Sequence, residues 1–226
     1  MPNAAIAPAG LRGFDCDRPI TRDEAKKFFD KNYRFAVRYV VRQTPHDRDL
    51  SLHEIESLFN AGLAVMPVQH VESESDWIPS LDKGASNGRN ASNACASLGF
   101  PATANVWLDL EGVNTAVSAT TIAQYCNAWF DEVKAGGFTP GIYVGWHCGL
   151  TPDQLFRKIK FKHYWAAYNL NRDEEPAVRG IQMKQGAAKK SDKPAGVVID
   201  MDTDVINADK LGGLPIVYAP DEWSVG

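Results

Sequence analysis

Short apolar runs alternate with amphipathic stretches through the first two thirds of the chain. The runs are four to seven residues long and favour strands, and in the stretches between them apolar residues recur every three or four positions. This alternation predicts five strands, at 13–16, 35–40, 63–69, 105–111 and 141–144. A helix is predicted after each of them.

Several helix ends are marked by particular residues. Thr21 with Glu24, and Ser51 with Glu54, have the capping-box spacing, in which each side chain satisfies a free amide of the first turn. The clearest helix follows the fourth strand and ends at Gly136. Its apolar face is formed by residues 122, 125, 126, 129, 130 and 133.

The remaining helices have weaker patterns. The segment 71–90 is polar and predicts a long, functional loop on the rim, followed by a weaker helical pattern at 91–98. The fifth helix begins at Thr151, because Pro152 is tolerated in a first turn, where its missing N–H costs nothing.

The last third of the chain has a different pattern. Three strands are predicted, at 163–168, 180–184 and 197–201, with no convincing helix between them. Five βα units followed by three strands predict an α/β fold, a single TIM-like (β/α)5β3 barrel, because consecutive βα units form parallel strands and eight strands close a barrel. We expect one domain over 1–226, with a core at about 11–210. The alternative is an open doubly wound sheet, which usually has helices between its last strands too.

Composition and charge narrow the possible partners. The 226 residues carry 24 basic and 28 acidic side chains, a net charge of −4, whereas nucleic-acid binders normally have a basic excess. No apolar run approaches the roughly 18 residues of a membrane span. The N-terminus has neither the basic start nor the apolar core of a signal peptide. We therefore expect neither a nucleic acid nor a membrane as partner, and a protein that is made in the cytoplasm with no signal peptide in this chain. A monomer is also expected.

The four cysteines do not have the spacing of a metal site. Cys16, Cys95, Cys126 and Cys148 include no CxxC pair, so a zinc ribbon is disfavoured and four buried free thiols are expected. A bridge between Cys95 and Cys126 is the alternative.

Acidic residues collect where three of the predicted strands end. Asp15 ends the first strand, Asp109 and Glu111 the fourth, and Asp200 and Asp202 the last. In a parallel barrel these ends meet at one mouth. Residues two apart on a strand share a face about 6.6 Å apart, so one of the Asp109–Glu111 pair should have a raised pKa. A protonated acid beside an ionised one is what glycosidic cleavage needs.

A purely structural or metal-binding role for these acids has less support in the sequence. They could cap helices, or pair with Arg38 and Lys184. The run 200–204 begins like a calcium loop but has Val205 and Leu211 where that loop needs Gly and Glu. The five histidines form no HExxH motif. No metal and no cofactor are therefore predicted.

An ordered set of motifs resembles a known family. The motifs lie at 13–15, 106–111, 141–143, 164–168, 181–182 and 198–202. Together they resemble the family 25 glycoside hydrolases, lysozymes with a (β/α)5β3 barrel. They resemble even more a related family of uncharacterised, glycoside-hydrolase-like barrels, whose second-strand signature is similar to 35–39. The resemblance spans roughly 13–204.

The resemblance implies cleavage of the β-1,4 bond between N-acetylmuramic acid and N-acetylglucosamine. Glu111 matches the general acid and is expected to hold the proton, while Asp109, the partner that orients the acetamido group, stays ionised. Asp15 and Asp200 match the flanking acids. The implied substrate-binding residues are Arg38, Tyr143, Trp165, Gln182 and Asp202. Asp202 replaces the Asn usual in the lysozymes, and either Tyr164 or Trp165 could fill the tryptophan position.

The resulting hypothesis is a lysozyme-like glycosidase that degrades bacterial cell wall. Peptidoglycan or a related N-acetylhexosamine glycan is the expected partner, reached in the periplasm or outside the cell after phage lysis or machine-dependent secretion, which implies an antibacterial role. Two alternatives stay open: a barrel that binds wall glycan without cleaving it, and a hydrolase that uses the same acids to hold a divalent metal.

Overall fold

The protein folds around a closed barrel of eight strands that is surrounded by five helices. The computed structural model describes residues 3–73, 75–171, 173–176, 180–187, 194–209 and 211–223. The strands are β1 (Asn3–Ile6), β2 (Arg12–Cys16), β3 (Phe35–Val40), β4 (Ala64–Gln69), β5 (Asn105–Leu110), β6 (Thr139–Val144), β7 (His163–Ala166), β8 (Met183–Gly186), β9 (Asp202–Ile206) and β10 (Ile216–Ala219). The helices are α1 (Arg22–Asp30), α2 (Leu52–Asn60), α3 (Leu81–Ser97), α4 (Ala119–Ala135) and α5 (Pro152–Lys158).

The barrel is closed by strands β2 to β9. Strands β2 to β8 run parallel to one another, and β4 closes onto β5 where Val68 faces Trp107. β9 lies between β2 and β8 and is antiparallel to both. The predicted (β/α)5β3 barrel is confirmed, and the open doubly wound sheet is wrong.

The last barrel strand lies later in the chain than predicted. It covers Asp202–Ile206, whereas the apolar run 197–201 forms no ladder. Val197, Ile199 and Met201 are buried in the layer between barrel and helices, while Val198 is exposed. The alternation that predicted a strand therefore arises from an extended segment that covers the barrel from outside.

Helix α3 begins ten residues earlier than the predicted 91–98. Ser80 caps it, and its first half contains Gly84 and Gly88, which disfavour a helix in isolation. Tertiary packing accounts for the difference. A Cβ on Gly84 would lie 2.2 Å from the Tyr125 carbonyl oxygen, and a Cβ on Gly88 would lie 2.7 Å from that of Trp129. The glycines let α3 lie directly against α4. The rim loop is correspondingly shorter than 71–90, and residue 74 of it lies outside the described residues.

Side chains of the barrel separate into two apolar layers. On β5, Val106, Leu108 and Leu110 pack outward against the helices, whereas Trp107 lies in the lumen. The predicted alternation of this strand is confirmed. Below the lumen, β10 pairs with both β1 and β4, and the Ile216 amide donates to Asn105 Oδ1 at 2.8 Å. This small sheet was not predicted.

The cysteines agree with the expectation. All four are buried and free, so the alternative bridge between Cys95 and Cys126 is not formed. Cys16 lies in the outer layer, one residue after Asp15. Within the described ranges, no helix combines the length and the apolar character needed to cross a bilayer.

Candidate active site

Two neighbouring strands, β5 and β6, place the DxE pair at the mouth. Asp109 lies in register with Tyr143 of β6, and Glu111 follows the last residue of β5. A Cβ on Gly145, just after β6, would lie 2.5 Å from Glu111 Oε2 and 2.8 Å from Tyr143 Cε1. The Glu111 side chain therefore occupies the space that a glycine leaves open beside Tyr143.

Asp109 is the more deeply buried member of this pair. It is 3% exposed, and its Oδ1 accepts no hydrogen bond from the described residues. Burial, and then the charges of Glu111 and Asp15, raise the pKa of Asp109 well above its usual range. The resemblance implies an ionised Asp109, whereas burial of this side chain favours the protonated form.

A second pair of buried carboxyls lies across the lumen. Gln185 Nε2 donates to Asp15 Oδ2 at 2.9 Å, and Tyr143 Oη donates to Gln185 Oε1 at 3.0 Å. Asp204 of β9 lies in register with Gln185 and is fully buried. Burial raises the pKa of Asp15 to about 7 and that of Asp204 well above its usual range, and the charge of Asp15 adds to the shift at Asp204. Ionisation of either carboxyl therefore makes ionisation of the other less favourable.

Sequence reasoning missed three residues of this site. Gln185 and Asp204 face the lumen from the last strands, and Tyr39 projects into it from β3, near Asp15 and Asp109. The predicted last strand ends at residue 201, before Asp204, and the sequence pattern places Asp204 only in a calcium-like run. Tyr39 had a usable signal, because it continues the alternation of Phe35 and Val37 toward the lumen.

Asp200 and Asp202 reach the mouth for a reason that the prediction did not contain. Since β9 is antiparallel, it starts at the end where β2 finishes, and Asp202 lies in register with Asp15. Asp200 is exposed and Asp202 half-buried. With Asp15, Asp17 and Tyr39 they line a cavity of about 180 Å³, which we call the acidic cavity. Among the described residues, no three His, Cys, Asp or Glu side chains are placed to share a metal ion.

Arg38 is not brought into the mouth. Its side chain points from β3 toward the helices, where Arg38 Nε donates to Glu54 Oε1 at 2.7 Å with both side chains buried. Arg38 also donates to the carbonyl oxygens of Cys16 and Arg48. It is a structural link between β3 and α2. For the same reason the predicted capping box at Ser51 is half formed, since the Glu54 carboxylate is held by Arg38.

Gln182 and Trp165 also lie away from the substrate-facing surface. Gln182 precedes β8 at the opposite end of the barrel, where its Oε1 accepts from the Tyr164 amide at 2.5 Å and its Nε2 donates to Asp209. Trp165 lies inside the lumen at 1% exposure, 4.5 Å from the Tyr143 ring. Trp165, rather than Tyr164, therefore faces the lumen and forms the floor beneath the carboxyls.

Exposed aromatic residues flank the mouth. Trp146 follows β6 and stacks on His147 with 3.8 Å between ring centroids, and Tyr168 follows β7. They are 47% and 49% exposed. Trp77, in contrast, is buried, and its Nε1 donates to the Glu111 carbonyl oxygen at 2.6 Å. Aromatic faces suit the apolar C–H patches of sugar rings.

Comparison with known proteins identifies a family for this chain and a set of solved structures that share its fold. A family model described as the Rv2525c-like, glycoside hydrolase-like domain matches residues 26–206. No curated protein sequence matches the chain significantly.

Solved structures of several bacterial and phage proteins have the same fold. The catalytic domain of endolysin ply40, from bacteriophage P40 of Listeria monocytogenes, has a TM-score of 0.62 at 18% identity and covers 91% of this chain and 97% of its own. The bacterial lysozyme from Streptomyces coelicolor has 0.61 at 16%, over 90% and 95%. The modular autolysin LytC from Streptococcus pneumoniae, in complex with a synthetic peptidoglycan ligand, has 0.56 at 15%, over 86% and 46%. At these identities the matches show a common fold.

Proposed function

Because the chain belongs to the Rv2525c-like, glycoside hydrolase-like domain family, we propose that it hydrolyses a glycan of N-acetylhexosamines, with bacterial peptidoglycan as its substrate. The observation that carries the proposal is that Asp15, Asp109 and Glu111 lie at one mouth of the barrel. They lie close enough together that the negative charges of Asp15 and Glu111 both raise the pKa of Asp109. A lysozyme, an endolysin and an autolysin in complex with a peptidoglycan ligand share the fold. Peptidoglycan lies outside the cytoplasm, so the protein would act in the periplasm or the extracellular wall.

Glu111 is the general acid of the proposed mechanism. It is half-buried, whereas Asp109 is almost completely buried, so Glu111 is the member of the pair that a substrate can reach. Its proton passes to the glycosidic oxygen as the bond to the anomeric carbon breaks. Water supplies the oxygen that bonds to the anomeric carbon, and a carboxylate of the mouth takes the proton that this water releases.

Asp109 and Asp15 position the substrate. Burial, the largest cause of its raised pKa, favours a protonated Asp109 even when Glu111 also holds a proton, and a protonated Asp109 donates a hydrogen bond to the carbonyl oxygen of an acetamido group. Asp15 is held by Gln185, which is held in turn by Tyr143. Trp146 and Tyr168 on the rim supply the apolar faces against which neighbouring sugar rings stack.

The test is turnover of purified peptidoglycan, followed by labelling and identification of the new reducing ends. Glu111→Gln keeps the size of the side chain but removes the transferable proton. Since general acid catalysis is worth roughly 10²–10⁴-fold, we expect this variant to lose at least ~100-fold in turnover while still binding glycan. Turnover by Glu111→Gln at a near wild-type rate would place the acid elsewhere.

A glycan-binding barrel without turnover is the second candidate. The observation that favours it is that burial raises the pKa of both Asp15 and Asp109, because protonated carboxyls can donate hydrogen bonds to a glycan but cannot take a proton from water. Wild-type protein that binds peptidoglycan but releases no reducing ends would establish this candidate. Turnover that is lost with a chelator and restored by a divalent metal would instead support the metal-dependent alternative.

A further inference from the structure

A second cavity, of about 470 Å³, opens beside the acidic cavity. It lies between the loops that follow β3 and β4, and most of the titratable side chains that line it are of basic type. We call it the basic pocket and define it by Arg42, His46, Arg48, His70 and Glu72.

The fixed charge of the basic pocket is positive. Glu72, its acid, is paired with Lys83 at 2.7 Å. Arg48 is exposed and pairs with Asp17 at 2.7 Å, whereas Arg42 forms no ion pair with any residue that the structure describes. Burial lowers the pKa of His70 although Asp49 lies 3.3 Å away, so the arginines supply the positive charge at neutral pH.

The two cavities adjoin each other. The Tyr39 ring, which lines the acidic cavity, stacks on His70 of the basic pocket with 4.4 Å between centroids. The Arg48–Asp17 ion pair joins the same two walls. A ligand over the acidic cavity can therefore extend an arm into the basic pocket without leaving the mouth of the barrel.

The two neighbouring cavities favour a ligand with one neutral part and one negatively charged part. The acidic cavity would repel an anion, while guanidinium groups match the planar geometry of a carboxylate and bind it through paired hydrogen bonds. The pocket volume lies in the range of small-molecule sites and exceeds what one carboxylate fills, so it suits a substituent of several heavy atoms. A neutral sugar ring with a carboxylate-bearing side arm satisfies both cavities.

We propose that the basic pocket binds the carboxylate-bearing substituent of an anionic N-acetylhexosamine glycan. This inference rests on the proposed function and adds a subsite to it: the basic pocket recognises the carboxylate of a lactyl or acidic peptide arm, which neutral, chitin-like chains lack. Arg42 is its main anchor, since its guanidinium is the one that no described acid neutralises.

The test compares two forms of one ligand. Soluble peptidoglycan fragments are prepared with free carboxylates and, in a matched batch, with these carboxylates converted to amides. Binding of both forms is measured by calorimetry with wild-type protein and with Arg42→Gln. Arg157→Gln is the control, because Arg157 pairs with Asp153 on the exposed face of α5.

We expect the wild type to bind the carboxylate form at least ~10-fold more tightly than the amide form, as a charge-assisted contact to an arginine would give. Arg42→Gln should remove this preference, Arg42→Lys should keep part of it, and Arg157→Gln should keep all of it. A thermal unfolding scan checks that each variant is folded.

Two results would overturn the inference in different ways. If the wild type binds both forms equally, or if folded Arg42→Gln keeps the preference, the basic pocket does not select carboxylates, although the proposed function stands. If neither form binds and no reducing ends appear, the proposed function itself fails, and the inference fails with it.

Discussion

At the scale of single residues, burial decides the chemistry of the mouth more than charge does. Asp15, Asp109 and Asp204 all have raised pKa values, and burial is the largest cause for each of them. The DxE spacing predicted a shift through the mutual repulsion of two carboxylates. It could not predict which carboxyl lies deeper, because depth depends on the closed barrel rather than on neighbouring residues.

The raised pKa of Asp15 predicts how stability depends on pH. The folded protein keeps a proton on Asp15 up to about pH 7, whereas the unfolded chain releases it near pH 4, so this residue lowers the free energy of unfolding as pH rises between those values. Asp15→Asn retains the acceptor for Gln185 but has no proton to lose.

We expect Asp15→Asn to show a smaller decrease in the free energy of unfolding between pH 4 and 7 than the wild type. Urea denaturation at several pH values measures it, with the exposed Asp30→Asn as control. Parallel pH curves for Asp15→Asn and the wild type would mean that Asp15 titrates in the folded state as it does in the unfolded chain.

Gly145 tests the position of Glu111 without changing its chemistry. A Cβ at residue 145 would lie 2.5 Å from Glu111 Oε2, so Gly145→Ala must displace that carboxyl. If Glu111 is the general acid, turnover should fall by at least ~10-fold, since small displacements of a reacting group are costly.

The matched control for Gly145→Ala is the double variant that combines it with Glu111→Gln. In a Glu111→Gln protein, Gly145→Ala should cause little further loss, because residues that act as one unit are not additive. A full additional loss in the double variant would show that Gly145→Ala acts through another route, such as Tyr143.

At the scale of elements, the order of strands and helices could be predicted because the pattern of apolar residues matches the pattern of burial closely. The predicted bounds of the first five barrel strands, β2 to β6, agree with the structure within a residue or two, since apolar runs between amphipathic helices have few alternative placements. Arg38 shows the limit of this reasoning. Its neighbours Val37 and Tyr39 face the lumen, so the same alternation sends Arg38 outward to Glu54, and a motif match alone could not correct that.

The α3–α4 contact predicts an inverted helix-propensity effect. Alanine normally stabilises a helix by about 1 kcal/mol relative to glycine. At Gly84, however, the added Cβ would lie 2.2 Å from the Tyr125 carbonyl oxygen and would push the helices apart. Overpacking typically costs about 1–3 kcal/mol, so Gly84→Ala should lower the free energy of unfolding in urea.

The control for this contact lies in the same helix. Ala96 is exposed, so Ala96→Gly should cost only the propensity difference of about 1 kcal/mol. If Gly84→Ala is instead more stable than the wild type, the two helices are not as close as 2.2 Å requires.

At the scale of the whole molecule, closure of the barrel turned scattered acids into one site. The expectation that Asp15, Asp109 and Glu111 belong together rested on parallel strands. Asp200 and Asp202 were assigned to the same mouth by placing them at the end of a strand, although they lie before and at the start of one that runs the other way. The resemblance to glycoside-hydrolase-like barrels is confirmed. Gln185 and Asp204 became visible only when the direction and the register of β9 were known.

The small sheet below the lumen gives a final prediction about the whole chain. Residues Ala7, Val217 and Ala219 are buried beneath the barrel, and β10 occupies the opening that β4 and β5 leave at that end. A chain limited to 11–210 would retain every barrel strand and every carboxyl of the mouth. It would lose the small sheet, expose the apolar residues that the sheet covers, and leave Asn105 without its hydrogen bond from Ile216. Losing these apolar contacts and backbone hydrogen bonds should lower the free energy of unfolding by roughly 3–5 kcal/mol in urea. If the shortened chain matches the full chain in both stability and turnover, the small sheet contributes nothing to the barrel. If it matches in turnover alone, the small sheet stabilises the barrel without shaping its mouth.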